Sequence, residues 1–540
     1  TEMLNLKQDN ERLHRLVTSK SLTSSQSSLP SDPDRRFSMT EVSNIVGSVT
    51  NGDHTSTVDQ LDDITLPEHL PIIPTGTTTS EPIIEDTDGK RINVAVYLGS
   101  ENSFNLNLVS GNDSMIDEKR YCVIANVCIS NKTTWESLDA IVRRSLKDYV
   151  SRVDPINNLN LGVECVAAYY LGEASRCTSD TQNPELLPCG YLVGHVKTIY
   201  VVLSGYSWLA IDTLIPKSII QRLISLLTDH RRVILCGPSG TGKSYLAEKL
   251  ADALVDSDAE SRGAVATFVV DHKSSKELRQ YLAQIAECCD SNAGDELPSV
   301  IILENLQHAT SLGELFSGLS TRHLSCPAII GTMSQATCNT TNLQLIHNFR
   351  WVMCANHMEP VKGFLGRYLR RKLLEHELKE GAGARNAEMA AVVEWIPRVW
   401  LHLNKFLETH SSSDVSIGPA LFLECPIEVA SSQVWFTDRW NYTVIPYLVE
   451  QVKDGLAVYG RRTSGNGNTD GAWEDPTQFI INTYPWIATH AVHGGSDALL
   501  RLRPEDVGYD VVSAGHTSGV GASSVKSLGS GHSDTEGDPL

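Results

Sequence analysis

The chain lacks several features whose absence narrows what it can be. No apolar run approaches the ~20 residues that cross a bilayer, and no charged-then-apolar leader opens the chain. A soluble, intracellular protein is therefore expected. Positive charge is in deficit: 45 Lys and Arg stand against 65 Asp and Glu, a formal net charge of -20. Duplex affinity comes from neutralising phosphates with Lys and Arg, so a nucleic-acid binder held by bulk electrostatics is disfavoured. No C-x-x-C spacing occurs among the 12 cysteines, and the adjacent pair Cys288-Cys289 lies in a helical stretch. A zinc site is not expected, and cysteines inside apolar segments, such as Cys236, Cys354 and Cys425, read as buried reduced thiols.

What is present begins with residues 237–244, GPSGTGKS. They complete the pattern G-x-x-x-x-G-K-[ST], in which backbone N–H groups wrap a phosphate, the lysine reaches the outer phosphates and the hydroxyl ligates magnesium. At ordinary composition such a match arises by chance in roughly 2% of chains this long. The flanks favour function: RVILC (232–236) reads as a short buried strand and YLAEKLADAL (245–254) as a helix, the order a phosphate loop requires. Candidate nucleotide ligands are Gly237, Pro238, Ser239, Gly240, Thr241, Gly242, Lys243 and Ser244. The implied cofactors are ATP and Mg, the metal falling to Ser244 and Glu304.

At 540 residues and 41% hydrophobic content the chain is long enough for two or three domains. Residues 1–17 place Met3, Leu6, Asn10, Leu13 and Val17 on a heptad seam, a coiled-coil end or, as plainly, a frayed amphipathic helix. Residues 18–90 are rich in Ser, Thr, Asp and Pro and read as a disordered acidic linker. Residues 91–205 run hairpin, helix, then further strands, which suggests a small α+β domain of β-grasp, ubiquitin-like form with a docking role. Residues 216–362 alternate helix and strand as an α/β P-loop core of AAA+ type, a parallel sheet with helices on both faces. Its strands are RVILC, ATFVV (266–270), SVIIL (299–303), AIIGTM (328–333) and RWVMCA (350–355). Residues 363–486 form a helical lid with an inserted loop near 463–472, and 487–540 a largely disordered tail. Opening at Thr1 and stopping at Leu540, the chain reads as part of something longer.

The parts that convert nucleotide binding into hydrolysis are altered. The third strand ends Leu303-Glu304-Asn305, so a longer Glu304 stands where a shorter Asp is normal for the metal, and an amide, Asn305, stands where a second acid polarises water. An amide orients a water but takes no proton, and losing a general base costs about 10²- to 10⁴-fold in rate. Ser334, after AIIGTM, occupies the place of a polar γ-phosphate sensor. Arg350 is the candidate arginine finger for a neighbouring subunit, with a solvated strand flank as an equally weighted reading. Arg367, Arg370, Arg371 and Lys372 form a basic run on a helix, read first as a solvated face and second as a contact for acidic partners such as a polymer surface.

PELLPCGYLVG (184–194), HKSSKELRQYL (272–282), HNFRWVMCANHMEPVKGFLGRYLRRKL (347–373), RPEDVGYD (503–510) and NLKQDNERLHRLV (5–17) together resemble the C-terminal part of the neuron navigator proteins, a metazoan cytoskeletal family. The resemblance implies an AAA+ module on cytoplasmic proteins that associate with microtubules and their growing ends and act in neurite outgrowth, axon guidance and cell migration. Departures from the family pattern accompany it. The family's Asp-Asn appears as Glu304-Asn305, its GTMN ends in Ser334, and its I-G-P-R appears as Ile417-Gly418-Pro419-Ala420, without the arginine that lids place near the γ-phosphate. The expected function is thus a nucleotide-binding scaffold, homo-oligomeric, with weak hydrolysis. Alternatives are an active AAA+ ATPase that remodels a protein partner and, less favoured, a helicase, which the charge balance and the lack of a base-stacking module oppose.

Overall fold

In the computed structural model, residues 89–104, 120–177, 182–257, 265–271, 275–290, 297–309, 312–316, 326–334, 348–381, 385–411, 415–459, 475–486 and 495–508 are described. They belong to one unit, Ile83–Leu540. The expected coiled-coil end, nearly all of the linker, the inserted loop near 463–472 and the tail from residue 509 lie outside them.

The first sheet contains β1 (Lys90–Tyr97), β2 (Tyr121–Ile129), β3 (Val166–Leu171), β4 (Ala174–Cys177) and β5 (Thr198–Leu203), in the order β2-β1-β5-β3-β4. β1 and β5 pair in parallel, and every other pair is antiparallel. Helix α1 (Trp135–Val153) crosses the sheet; the Thr134 hydroxyl caps it by accepting from Ser137 N at 3.2 Å. Its apolar residues recur every three or four positions, so Leu138, Val142, Leu146 and Tyr149 share one buried core with Ile92, Val94 and Val96 of β1. This mixed sheet wrapped on a helix is the expected ubiquitin-like domain. The short β4, with the sequence ASRC, is an addition to the expectation; it has too few apolar residues to signal a strand.

Helices α2 (Ser207–Thr213) and α3 (Lys217–His230) lead into the second sheet. Its strands are β6 (Arg232–Cys236), β7 (Val265–Val269), β8 (Val300–Glu304), β9 (Ala328–Met333) and β10 (Arg350–Met353), in the order β10-β6-β9-β8-β7, all parallel. The central strands read as near-continuous apolar runs because helices cover both faces. Val233 and Leu235 of β6 enter one core, whereas Ile234 and Cys236 enter a second core on the other face. Helix α4 (Lys243–Ser257) follows β6, and α5 (Ser275–Asp290) follows β7. A parallel sheet with the phosphate-loop strand between the last and fourth strands is the expected AAA+ core.

The lid consists of α6 (Phe364–Glu380), α7 (Ala387–His410), α8 (Val429–Arg439), a π-helical turn at Trp440–Val444, α9 (Ile445–Tyr459) and α10 (Pro476–Thr483). Asn386 caps α7 by accepting from Glu388 N and Met389 N at 2.9 and 3.2 Å. Part of the region assigned to the tail packs here. Leu499, Leu502 and Val507 are buried, and Trp440 Nε1 donates to Leu500 O at 2.9 Å. Among the described residues no helix is long and apolar enough to cross a membrane.

The basic run on α6 is not a solvated face. Arg367 is 1% exposed, donates from Nε to Leu214 O at 2.8 Å and pairs with Glu359 at 3.2 Å. Arg371 donates to the carbonyls of Ile211 and Asp212, Lys372 to those of Leu423 and Cys425, and Arg370 pairs with Glu394. Arg367 and Arg371 hold carbonyls at the end of α2, the groups that a helix end leaves unsatisfied, and Lys372 holds two carbonyls in the lid. Spacing along α6 could not show this, because the partners lie up to 160 residues away.

Candidate nucleotide-binding site

All five residues of β6 are buried, and the strand delivers the chain to the phosphate loop at a tightly defined point. Gly237 N donates to Met333 O at 3.1 Å, and a Cβ added at Gly237 would lie 2.2 Å from the carbonyl oxygen of Cys354. Only glycine fits there. Gly240 and Gly242 have φ of 75° and 81°, the left-handed angles that let successive N–H groups form an anion nest.

Lys243 opens α4, and its Nζ donates to Pro238 O at 2.7 Å, beside the Thr241 hydroxyl that donates to the same oxygen at 2.9 Å. Burial lowers the Lys243 pKa, partly opposed by the thiols of Cys354 and Cys236. Burial in turn pushes Cys354 up to about 12 and raises Cys236, so both thiols stay neutral near pH 7. The ammonium thus rests on a neutral carbonyl at the start of a helix whose dipole favours an anion.

The tips of β8 and β9 stand on the same edge of the sheet as the loop. β9 lies between β6 and β8, so Glu304 is two strand spacings, about 10 Å, from the end of β6. Glu304 is half-buried and ends β8. Asn305 is exposed and left-handed, with φ of 60°, and its N–H donates to Thr332 Oγ1 at 3.2 Å. Ser334 is half-buried and its N–H donates to Gln307 Oε1 at 3.2 Å. Gln307, absent from the sequence reading, therefore ties the turn after β8 to the turn after β9. Arg350 stands apart from the group. It begins β10 in register with Val233, about 10 Å back along the strands from the loop end. It belongs to the opposite edge of the sheet from its own chain's phosphate loop.

The lid reaches the loop through Gly418 and Ala420, and the preceding Ile417 is held by lid and core side chains. Ala420 N donates to Gly240 O at 3.1 Å, and a Cβ added at Gly418 would lie 2.4 Å from Ser239 O. The carbonyl of Ile417 accepts from Trp400 Nε1 at 2.7 Å, Asn356 Nδ2 at 3.0 Å and Asn404 Nδ2 at 3.1 Å, while Ile417 N donates to Asn404 Oδ1 at 2.8 Å. These three residues escaped the sequence reading. A signal existed in Asn404, a polar residue four positions after Trp400 on a helix whose buried face is otherwise apolar.

Comparison with known proteins adds the family. Residues 106–204 match the model of the neuron navigator 1-like ubiquitin-like domain, and residues 376–497 match the NAV1-like AAA+ ATPase lid domain. The chain is 46% identical to protein sickie of Drosophila melanogaster over 95% of its length, and 52% identical to human neuron navigator 2 over 77%. The chain belongs to the neuron navigator family. It spans 26% of the length of sickie and 16% of that of navigator 2. Among solved structures, C. elegans PCH-2 resembles this navigator chain at 13% identity and a TM-score of 0.27, covering 38% of the chain and 66% of that structure. A likeness that weak adds nothing to the topology above. Both domains that define the family match thus occur here, joined by an AAA+ core that carries the phosphate loop.

Proposed function

We propose that this navigator module binds ATP with Mg at residues 237–244 and serves as a nucleotide-responsive scaffold, with slow hydrolysis. The observation that carries the reading is a phosphate loop of complete geometry whose lysine rests on a neutral carbonyl. An arriving phosphate offers that ammonium a charged partner, and the loop N–H groups and the α4 N-terminus add to it. Ser244 and Glu304 are the residues to hold Mg, which when bound neutralises phosphate charge. Glu304, Asn305 and Ser334 retain hydrogen-bonding capacity at the strand tips but supply no second acid there. Ala420 brings a methyl group to the loop where a guanidinium would reach toward the γ-phosphate. Arg350, far from its own loop, would act only on the site of a second copy in a homo-oligomer.

By family membership, the cellular setting we propose is the cytoplasm and cytoskeleton, on microtubules and their growing ends, in neurite outgrowth, axon guidance and cell migration. Steady-state turnover and equilibrium ATP binding of the 540-residue chain, compared with Lys243→Ala, test the biochemical half. Tight, Lys243-dependent binding with slow turnover is expected. Fast Lys243-dependent turnover would instead establish the second reading, a remodelling ATPase, which the half-buried carboxylate of Glu304 at the end of β8 favours. Pelleting with microtubules, with and without nucleotide, tests the partner; equal pelleting in both conditions would remove the nucleotide-responsive part.

A further inference from the structure

Helix α4 carries Lys243 and Ser244 at one end, and its other end is held by the ubiquitin-like domain. Asp256, about 20 Å along the helix from Lys243 at 1.5 Å per residue, accepts from Ser100 N at 2.6 Å through Oδ2. Ser103 Oγ lies 3.0 Å from the same oxygen, and Ser100 Oγ donates to the Asp256 carbonyl at 3.2 Å. An acidic residue in the last turn of a helix opposes the dipole. Its placement is accounted for by the turn after β1, which supplies the N–H and hydroxyl groups that receive it.

One further grip acts on the same helix, and the element that makes it is tied in turn to the lid. In its middle, Lys249 pairs at 2.7 Å with Asp212, a buried residue on α2. The carbonyls of Ile211 and Asp212 accept from Arg371 of the lid helix α6 at 3.1 and 3.0 Å. That lid helix is also held by the ubiquitin-like domain, through the Arg152–Glu377 ion pair and through Asn126 Nδ2 donating to Leu378 O at 2.9 Å. The ubiquitin-like core continues without a break into the residues of α4 and α6, including Leu246, Leu250, Leu365 and Leu369. A domain independent of the nucleotide site would not share its core with the helix that begins there.

We propose that the ubiquitin-like domain is a coupled part of the nucleotide site, and that Asp256 is a positioning residue that links occupancy of the phosphate loop, along α4, to Ser100 and Ser103. The inference rests on the nucleotide-binding reading above. Phosphate capture draws Lys243 from Pro238 O and resets the first turn of α4. A helix gripped at its far end passes that change on as a rigid rod, and by linkage the grip at the far end changes nucleotide affinity by the same factor.

The test uses the full chain, Mg with a non-hydrolysable ATP analogue, equilibrium binding, and hydrogen exchange of residues 90–103. Saturating nucleotide is expected to slow exchange in that segment about threefold or more. Asp256→Ala should abolish this protection and weaken nucleotide binding about five- to tenfold. Asp256→Asn keeps an accepting oxygen and should restore both, which a merely structural loss would not do. Binding by the wild-type chain without any change in exchange would overturn the coupling and leave the nucleotide site standing. Unaltered protection and affinity in Asp256→Ala would overturn it equally. Failure of the wild-type chain to bind at all would overturn both readings together.

Discussion

The tip of β6 and the tips of β8 and β9 lie on one edge of one sheet, yet they are built under different constraints. At β6 the proposed ligand is the backbone itself. Gly237 is pressed against the Cys354 carbonyl, Gly240 and Gly242 need left-handed angles, and the lid lies on Ser239 and Gly240. At β8 and β9 the groups of interest are side chains on half-buried or exposed turns, and the turn contacts come from backbone N–H groups to Thr332 and Gln307. Substitution there leaves those backbone bonds in place. The loop after β6 is thus constrained by packing along its backbone, whereas at Glu304 and Ser334 a side chain can change without breaking the contacts that hold the turns, and at Asn305 the left-handed backbone is the main restriction.

The contrast can be broken most severely at Gly237. Gly237→Ala forces a methyl onto a backbone oxygen at 2.2 Å, and should destabilise the core by about 3 kcal/mol or more and abolish nucleotide binding; thermal unfolding and ATP titration read both. Next is Lys243→Ala, which should weaken ATP about 100-fold, about 2.7 kcal/mol, while the melting temperature shifts by no more than about 2 °C. Because burial lowers the Lys243 pKa from 10.5, the free site's ammonium is lost at a pH below that value as pH rises. Affinity measured against pH should therefore begin to fall earlier than an ordinary lysine would require.

At the other tips the order of effects reverses. The double change Glu304→Asp with Asn305→Asp should raise turnover about 10- to 100-fold while stability stays within about 0.5 kcal/mol; unchanged turnover would show that the slow step lies elsewhere. Asn305→Ala, placed at a φ of 60°, should cost about 1 kcal/mol in denaturant unfolding, since only Asn, Asp and Gly visit that region readily. The smallest effect is expected from Ser334→Asn, within about 0.5 kcal/mol in the same experiment, because the turn is held through its backbone N–H rather than the hydroxyl.

Much of this fold was legible because its signals are contiguous. RVILC and AIIGTM gave the same bounds in sequence and structure, and the other three AAA+ strands differed by one or two residues at their ends. Buried parallel strands must be apolar throughout, so they announce themselves. Less legible was α8 (Val429–Arg439), whose VASSQVWFTDR buries Ser432 and Gln433 beside Phe436 and so blurs the apolar stripe. The basic run on α6 was misread for a related reason. Charge pattern on one helix says nothing about carbonyls that another helix leaves unsatisfied nearby, and it is these that remove Arg367 from water.

By itself the sequence determined the phosphate loop, the parallel strands and the family resemblance, since eight consecutive residues or one apolar run contain all the geometry that each requires. Tertiary structure alone decided that Ala420 lies on Gly240, that Arg350 stands away from its own loop, and that Ser100 meets Asp256 across 156 positions. Such pairings depend on how whole elements pack, so no local spacing along the chain records them.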